Sequence, residues 1–150
     1  MTGKRARAGS SRQRAADARV DLLLRWQHMA RSQIEGDLSG GRKVHHWIWY
    51  VFPTQRPGEH DPAQTYVANA DEARQLLARD DASTEWWASV LRRIAEIGPK
   101  AFLSLSDGGR MRHFLREWRE HAQKWRSRTR AMSEFVAALE RLKAASDRDA

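Results

Sequence analysis

Apolar residues recur at helical spacing in four separate segments of the chain. Positions three and four residues apart lie on the same face of an α-helix, so each segment predicts an amphipathic helix with one buried stripe. The four stripes are Val20, Leu23, Leu24, Trp26, Met29, Ala30 and Ile34; Trp87, Val90, Leu91, Ile94 and Ile97; Met111, Phe114, Leu115, Trp118, Ala122 and Trp125; and Met132, Phe135, Val136, Leu139 and Leu142.

The expected helix boundaries come from capping residues and breakers. The first helix is predicted over about 16–35, with a stop at Gly36. A further helix is predicted over 70–79, because Asn69 can cap it and two acids occupy its first turn. Ser83 or Thr84 is the expected cap of the next helix, and Gly98 followed by Pro99 its expected end. The third stripe predicts a long helix from near Gly109 that continues through about residue 130, capped by Ser106 or Asp107.

Four to five amphipathic helices with short connections and no convincing set of strands indicate a mainly α protein. The chain has 150 residues, the size of one ordinary domain. We therefore predict one compact helical domain over residues 17–147. Residues 1–16 hold five basic residues, no acid and almost nothing to bury, which predicts a disordered basic tail.

The net charge of +8 is concentrated in two places. One is the basic tail, and the other is the segment 110–130, which has eight basic and two acidic residues. The chain has no cysteine, which excludes disulfides, thiol catalysis and thiolate zinc sites. No apolar run is long enough to span a bilayer, and the N-terminal stretch has no apolar signal core. We expect a cytoplasmic protein with no membrane partner.

The run HHWIWYVFPT, residues 45–54, joins two histidines to six consecutive aromatic or branched residues and a proline. It is too short for periodicity to distinguish helix from strand. In a helix Trp47 and Tyr50 would share a face, whereas in a strand Trp47 and Trp49 would. Buried indole N–H and phenol O–H groups need partners, so we interpret the run as core on one side and the wall of a pocket on the other.

The stretches GGRKVHHWIWYVFPT and TYVANADEARQLL, followed by SDGGRM, resemble an uncharacterised, mostly bacterial family known as domain of unknown function eighteen-ten. The resemblance covers roughly residues 20–118 and is carried by Gly41, Lys43, His46, Trp47, Trp49, Tyr50, Phe52, Pro53, Tyr66 and the tripeptide at 71–73. It implies a small, mostly helical domain with no established activity. Some members are labelled calpastatin, but the protease inhibitor of that name is a long disordered chain.

The residues around the aromatic run predict a pocket for a small anionic ligand. Aromatic rings beside cationic donors suit a nucleotide-like or phosphorylated molecule, with His46 as the proton-transfer group near neutral pH. No motif specifies a reaction, and no cofactor is predicted. The predicted ligand-binding residues are Lys43, His46, Trp47, Trp49, Tyr50, Tyr66, Asp107 and Arg110.

A metal site and a hydrolase nucleophile are not supported by the sequence. The histidines and acids at 45, 46, 60, 61 and 107 follow no spacing that is typical of metal ligands, so none is assigned to a metal. Ser104, Ser106 and Thr54 have no surroundings typical of a catalytic serine or threonine.

Two alternatives to the ligand pocket follow from the sequence. On a continuous helix, Arg112, Arg116, Arg119, Arg126 and Arg130 would form one stripe able to follow a phosphate backbone, which predicts non-specific nucleic-acid binding together with the tail. An exposed aromatic face would instead indicate a protein-interaction module. The sequence leaves the oligomeric state open.

Overall fold

The computed structural model describes residues 2–55, 61, 62, 64–125 and 128–149, with side chains from residue 11 onward. All regular structure in these ranges is helical, which confirms the mainly α prediction. The elements are α1 (Thr2–Gly40), α2 (Ile48–Val51), α3 (Ala70–Ala78), α4 (Asp81–Ile97), α5 (Pro99–Phe102), α6 (Leu105–Ala122), a 3₁₀ turn (Gln123–Trp125) and α7 (Arg130–Asp149).

The first helix extends beyond both of its predicted ends. It continues past Gly36 because Asp37 and Leu38, in its last turn, are buried. The chain leaves the helix only at Gly41, whose φ of 76° is the left-handed conformation that glycine adopts easily. At the other end, residues 11–16 of the predicted tail are helical, and Ala16 is buried. The side chains of residues 1–10 are outside the described part, so the disorder expected there stays a prediction.

The core is built around the pair of helices α4 and α7, which make the most extensive helix–helix contact. Trp87 of α4 lies at the centre of an aromatic cluster. Its ring is 4.6 Å from that of Phe135, 5.3 Å from that of Trp118 and 6.3 Å from that of Phe114, measured between centroids. Such aromatic pairs each add about 0.5–1.5 kcal/mol beyond the area they bury. Buried apolar residues form one connected cluster from Val20 to Leu142.

The helix ends show which polar residues act as caps. Asn69 accepts a hydrogen bond from the N–H of Glu72, as predicted. The predicted caps of α4 and α6 are wrong. Asp80 accepts from the N–H of Ser83, and Ser104 accepts from the N–H of Asp107. Each of these helices therefore begins earlier than expected, and Ser83, Thr84, Ser106 and Asp107 lie inside them.

The helix expected to continue through residue 130 ends at Ala122. The next three residues form a 3₁₀ turn that buries Trp125 against Trp118, with the ring centroids 6.1 Å apart. In a continuous α-helix those two positions would be separated by about 10 Å along the axis. The predicted five-arginine stripe on one helix is therefore wrong, because Arg130 begins α7 and Arg126 lies outside the described residues.

Candidate functional site

The segment between α1 and α2, residues 41–47, is organised by one buried carboxylate, that of Asp37. Its Oδ2 accepts the backbone N–H groups of Val44 and His45 at 3.1 and 3.0 Å and the indole N–H of Trp47 at 2.8 Å. Its Oδ1 lies 2.8 Å from Nδ1 of His45. Burial by itself raises the pKa of Asp37, but the hydrogen bonds from His45, Trp47 and Val44 outweigh it and lower that pKa below its ordinary value.

Lys43 connects the same segment to the start of α6. Its Nζ lies 2.9 Å from Oδ2 of Asp107, donates to the carbonyl oxygen of His45 at 2.7 Å, and lies 5.1 Å from the centre of the Trp47 ring. The backbone N–H of Lys43 donates to the carbonyl of Phe102 at 2.9 Å. Only 5% of the Lys43 side chain is exposed, so its position is determined by these contacts.

A hollow of about 300 Å³ opens between this segment and the start of α6. We call it the His45 hollow. It combines one indole, two imidazoles, two hydroxyls, one ammonium and one carboxylate with two apolar side chains. Its lining residues are Lys43, Val44, His45, His46, Ile48, Trp49, Ser104, Ser106 and Asp107.

Four of the eight predicted ligand-binding residues line the His45 hollow, namely Lys43, His46, Trp49 and Asp107. Within the aromatic run, residues 48–51 form a single helical turn, α2. Its residue Trp49 is partly exposed, whereas its other three residues are buried. The run therefore has a core side and a side that faces a hollow.

The other four predicted residues do not line the hollow, and two of them are core residues. Trp47 is fully buried, and its indole N–H is used by Asp37. Tyr50 is buried and stacks on Trp26, with ring centroids 5.3 Å apart and planes 6° from parallel. Burial raises the pKa of Tyr50. Neither ring is available to a ligand in this structure.

Tyr66 and Arg110 are held by partners of their own. The guanidinium of Arg19 lies 5.3 Å from the centre of the Tyr66 ring. Arg110 donates to the carbonyl of Phe52 at 3.0 Å and forms an ion pair with Asp61 at 2.7 Å. Arg110 follows Asp107 by nearly one helical turn, but these contacts direct it to the aromatic run and the loop after it.

The sequence reasoning missed Asp37, and it named His45 beside the aromatic run without including it among the predicted ligand-binding residues. An acid in the last turn of a helix faces the negative end of the helix dipole, which is unfavourable without compensating donors. Asp37, four residues before Gly41, was therefore a detectable signal for a buried polar contact, but nothing local indicates that His45 would be one of its donors.

Some of the predicted nucleic-acid residues form ion pairs with glutamates, and others form no ion pair with the described residues. Arg119 forms a two-point ion pair with Glu140 at 3.0 Å, and Arg130 pairs with Glu134 at 3.2 Å. Arg112 and Arg116 are exposed and have no ion pair within the described part of the chain. Both line a groove of about 680 Å³ between α6 and α7, which also contains Lys143 paired with Asp147.

A comparison with protein families decides where this chain belongs. The family described as "Protein of unknown function (DUF1810)" matches residues 18–135. The chain is a member of the DUF1810 family. The resemblance predicted from the aromatic motif is thereby confirmed, and every residue of the His45 hollow lies inside the DUF1810 match. No curated protein and no solved structure matches the chain. None of the described DUF1810 helices is long and apolar enough to cross a membrane.

Proposed function

We propose that this DUF1810 domain binds a nucleotide-like small molecule in the His45 hollow. The observation that supports it is the meeting of Trp49, His46 and Lys43 at one opening. A partly exposed indole offers a flat apolar face on which a planar ring can stack. The imidazole and the two serine hydroxyls beside it can donate to and accept from the edges of that ring and from ligand hydroxyl groups.

The size of the hollow limits the ligand. Its volume of about 300 Å³ lies at the lower end of the range for small-molecule pockets. A nucleoside, a nucleoside monophosphate or a phosphorylated sugar is of the right scale, and a larger molecule would extend onto the surrounding surface.

The charges in the hollow determine how an anionic ligand group would be received. Lys43 is its ammonium group, and Asp107 already accepts from it at 2.9 Å. A phosphate on the ligand must therefore compete with the Asp107 carboxylate for the same Nζ. We propose that the ring and hydroxyl contacts provide most of the affinity and that Lys43 adds a smaller preference for phosphorylated ligands.

A binding screen tests this proposal. Isothermal titration and thermal shift would be measured with nucleosides, nucleoside monophosphates, sugar phosphates and inorganic phosphate. Trp49→Ala should weaken binding of the best compound by about fivefold or more, because stacking on a ring contributes about 1–3 kcal/mol. Trp86→Ala is the matched control: Trp86 is also partly buried against the core, but its indole N–H donates to Glu35 outside the hollow.

Two results would overturn the nucleotide proposal. One is that no compound in the panel binds or raises the unfolding temperature. The other is that Trp49→Ala and Trp86→Ala weaken binding equally, which would show that the ligand lies elsewhere. Asp107→Asn gives a separate test of the charge argument, because it should strengthen binding of a monophosphate relative to its nucleoside by about threefold to tenfold.

Nucleic-acid binding is the second candidate, and it is favoured by Arg112 and Arg116, which have no ion pair with any residue that the structure describes. We propose that these two residues are the phosphate contacts and that Arg119, which is already paired with Glu140, contributes little. Replacing both with Gln should reduce the slope of log affinity against log salt by about two for a short duplex. The control is Arg25→Gln with Arg141→Gln, two exposed arginines outside that groove. Equal slopes for both double variants would exclude the groove.

The protein-interaction alternative was predicted from an exposed aromatic face. Among the described residues the exposed large hydrophobic side chains are Met29, Val44 and Leu105, with exposed fractions of 65%, 64% and 91%, and none of them is aromatic. These three apolar side chains are the remaining candidate contacts. Light scattering over a concentration series tests self-association through them. A monomer at every concentration would remove this alternative for contacts between copies of the chain.

A further inference from the structure

Two separate contacts hold His45 against Asp37. The carboxylate accepts the backbone N–H of His45 at 3.0 Å with one oxygen and meets Nδ1 of the same residue at 2.8 Å with the other. Backbone and ring are therefore held to the same buried group. Because both the backbone N–H and the ring nitrogen of His45 contact this carboxylate, the ring has little freedom to rotate.

The protonation of Asp37 determines which ring nitrogen of His45 carries the proton. An ionised carboxylate only accepts hydrogen bonds, and the three N–H groups of Val44, His45 and Trp47 that converge on Oδ2 favour that ionised form. The contact between Oδ1 and Nδ1 thus requires the proton to be on Nδ1. In the neutral ring, Nε2 then has a free electron pair.

The other side of the ring faces the hollow. The His45 side chain is 47% exposed and lines the His45 hollow, and Nε2 has no hydrogen-bond partner among the described residues. The neighbouring His46 lines the same hollow but has no carboxylate partner within the described ranges, so its tautomer and orientation are not determined.

We infer that His45 is the proton acceptor of the His45 hollow and that Asp37 is its positioning residue. This assigns an acid–base activity to the site, and it transfers the proton-transfer role expected for His46 to its neighbour. In the proposed step, a water molecule or ligand hydroxyl gives its proton to Nε2 while its oxygen bonds to the carbonyl carbon of an ester, and the bond from that carbon to the alcohol oxygen breaks, releasing the alkoxide or phenolate. The resulting imidazolium is stabilised by the ionised Asp37 and then releases the proton to solvent.

Two variants distinguish a proton-accepting role of the His45 ring from a purely structural role. Asp37 keeps three N–H donors when the ring is removed, because they come from two backbone groups and from Trp47. His45→Gln should therefore fold, and it separates the chemistry of the ring from the organisation of the segment. Asp37→Asn tests the positioning role, since it removes the carboxylate charge that holds the proton on Nδ1.

The experiment uses hydrolysis of p-nitrophenyl acetate, which needs no natural ligand. Water loses a proton to Nε2 and bonds to the ester carbon, the bond to the phenol oxygen breaks, and acetate and p-nitrophenolate are released. His45→Gln should reduce the protein-dependent rate by about tenfold or more, as expected for loss of a general base. His113→Gln is the matched control and should not change the rate, because His113 is 52% exposed beside Glu117 at 3.5 Å but does not line the hollow.

A nitrogen-15 spectrum of the histidine rings gives an independent readout. In its neutral form, the His45 ring should show a protonated Nδ1 and an unprotonated Nε2, and Asp37→Asn should lose this preference. The inference is overturned if His45→Gln hydrolyses the ester as quickly as the wild type, including the case in which neither exceeds the buffer rate. It is also overturned if the single proton of the neutral His45 ring is on Nε2. Since neither measurement uses a nucleotide, failure here is distinguishable from failure of the nucleotide proposal.

Discussion

Lys43 Nζ lies 2.9 Å from Asp107 Oδ2, and this ion pair joins the segment after α1 to the first turn of α6. The Lys43 side chain is 5% exposed and that of Asp107 is 20% exposed. The two residues are far apart in the chain, so their contact forms only when the segment 41–47 packs against the start of α6. It also closes one side of the His45 hollow.

Removing the carboxylate of this pair should cost more stability than removing the ammonium group. Asp107→Asn leaves a nearly buried ammonium without its counter-charge, and we expect the free energy of unfolding to fall by about 1–3 kcal/mol. Lys43→Met keeps the apolar stem and leaves only the more exposed Asp107 unpaired, so the loss should be smaller. Urea denaturation of both variants measures the difference, and a larger loss for Lys43→Met would contradict this account.

Glu35 should make the stability depend on pH in acid. Hydrogen bonds from Arg93 at 2.7 Å, opposed by burial and supported by the Trp86 indole, lower the pKa of Glu35 to about 2. A carboxylate whose pKa is lower in the folded state stabilises the fold fully above its ordinary pKa and loses that contribution as the pH falls through the folded value. Since 38% of the side chain is exposed, screening limits the effect to about 1 kcal/mol.

The measurement for Glu35 is the unfolding free energy at pH values from 6 down to about 2. Glu35→Gln should be less stable than the wild type at pH 6, and the difference should shrink as the pH approaches the lower limit. Glu85→Gln is the control, because Glu85 is exposed and has no ion pair among the described residues. A constant difference between Glu35→Gln and the wild type at all pH values would show that charge is not involved.

Trp87 should be among the most costly tryptophans to replace. It is buried at the centre of the aromatic cluster, and its indole N–H donates to the carbonyl of Val51 at 3.0 Å. Trp87→Phe leaves a cavity and a buried carbonyl without its donor, so we expect a loss of about 2–4 kcal/mol. Trp26→Phe is the control, because Trp26 is only partly buried and its stack on Tyr50 can be kept. Equal losses would contradict the hydrogen-bond argument.

Replacing Ser104 should lower the stability of the protein more than replacing Ser106, because Ser104 caps α6. Its Oγ accepts the N–H of Asp107 at 3.2 Å, so Ser104→Ala should reduce the free energy of unfolding by about 1 kcal/mol. Ser106→Ala, within the first turn of the same helix, should change it by less than about 0.5 kcal/mol. Thermal unfolding of the two variants decides between them, and a larger effect of Ser106→Ala would restore the cap expected from the sequence.

Much of the helical architecture could be predicted, but the ends of the helices could not. The stripes around Trp87 and Phe135 identified their helices because helical periodicity is a local property of the chain. Caps are harder, since Asp80 and Ser83 are both suitable cap residues a few positions apart. The choice depends on which one meets the free N–H groups once the helix has packed. The burial of Trp125 likewise shortened a helix that local pattern alone would have continued.

The amino-acid sequence by itself determined that the protein is helical, which segments form its core, and that it belongs to its family. These follow from the spacing and identity of neighbouring residues. Only the tertiary structure decided that Trp47 and Tyr50 are core residues, that Trp49 faces an opening, and that Asp37 holds His45. Such assignments depend on which polar groups meet when separate elements pack, because a buried donor or acceptor must find its partner wherever the fold places one.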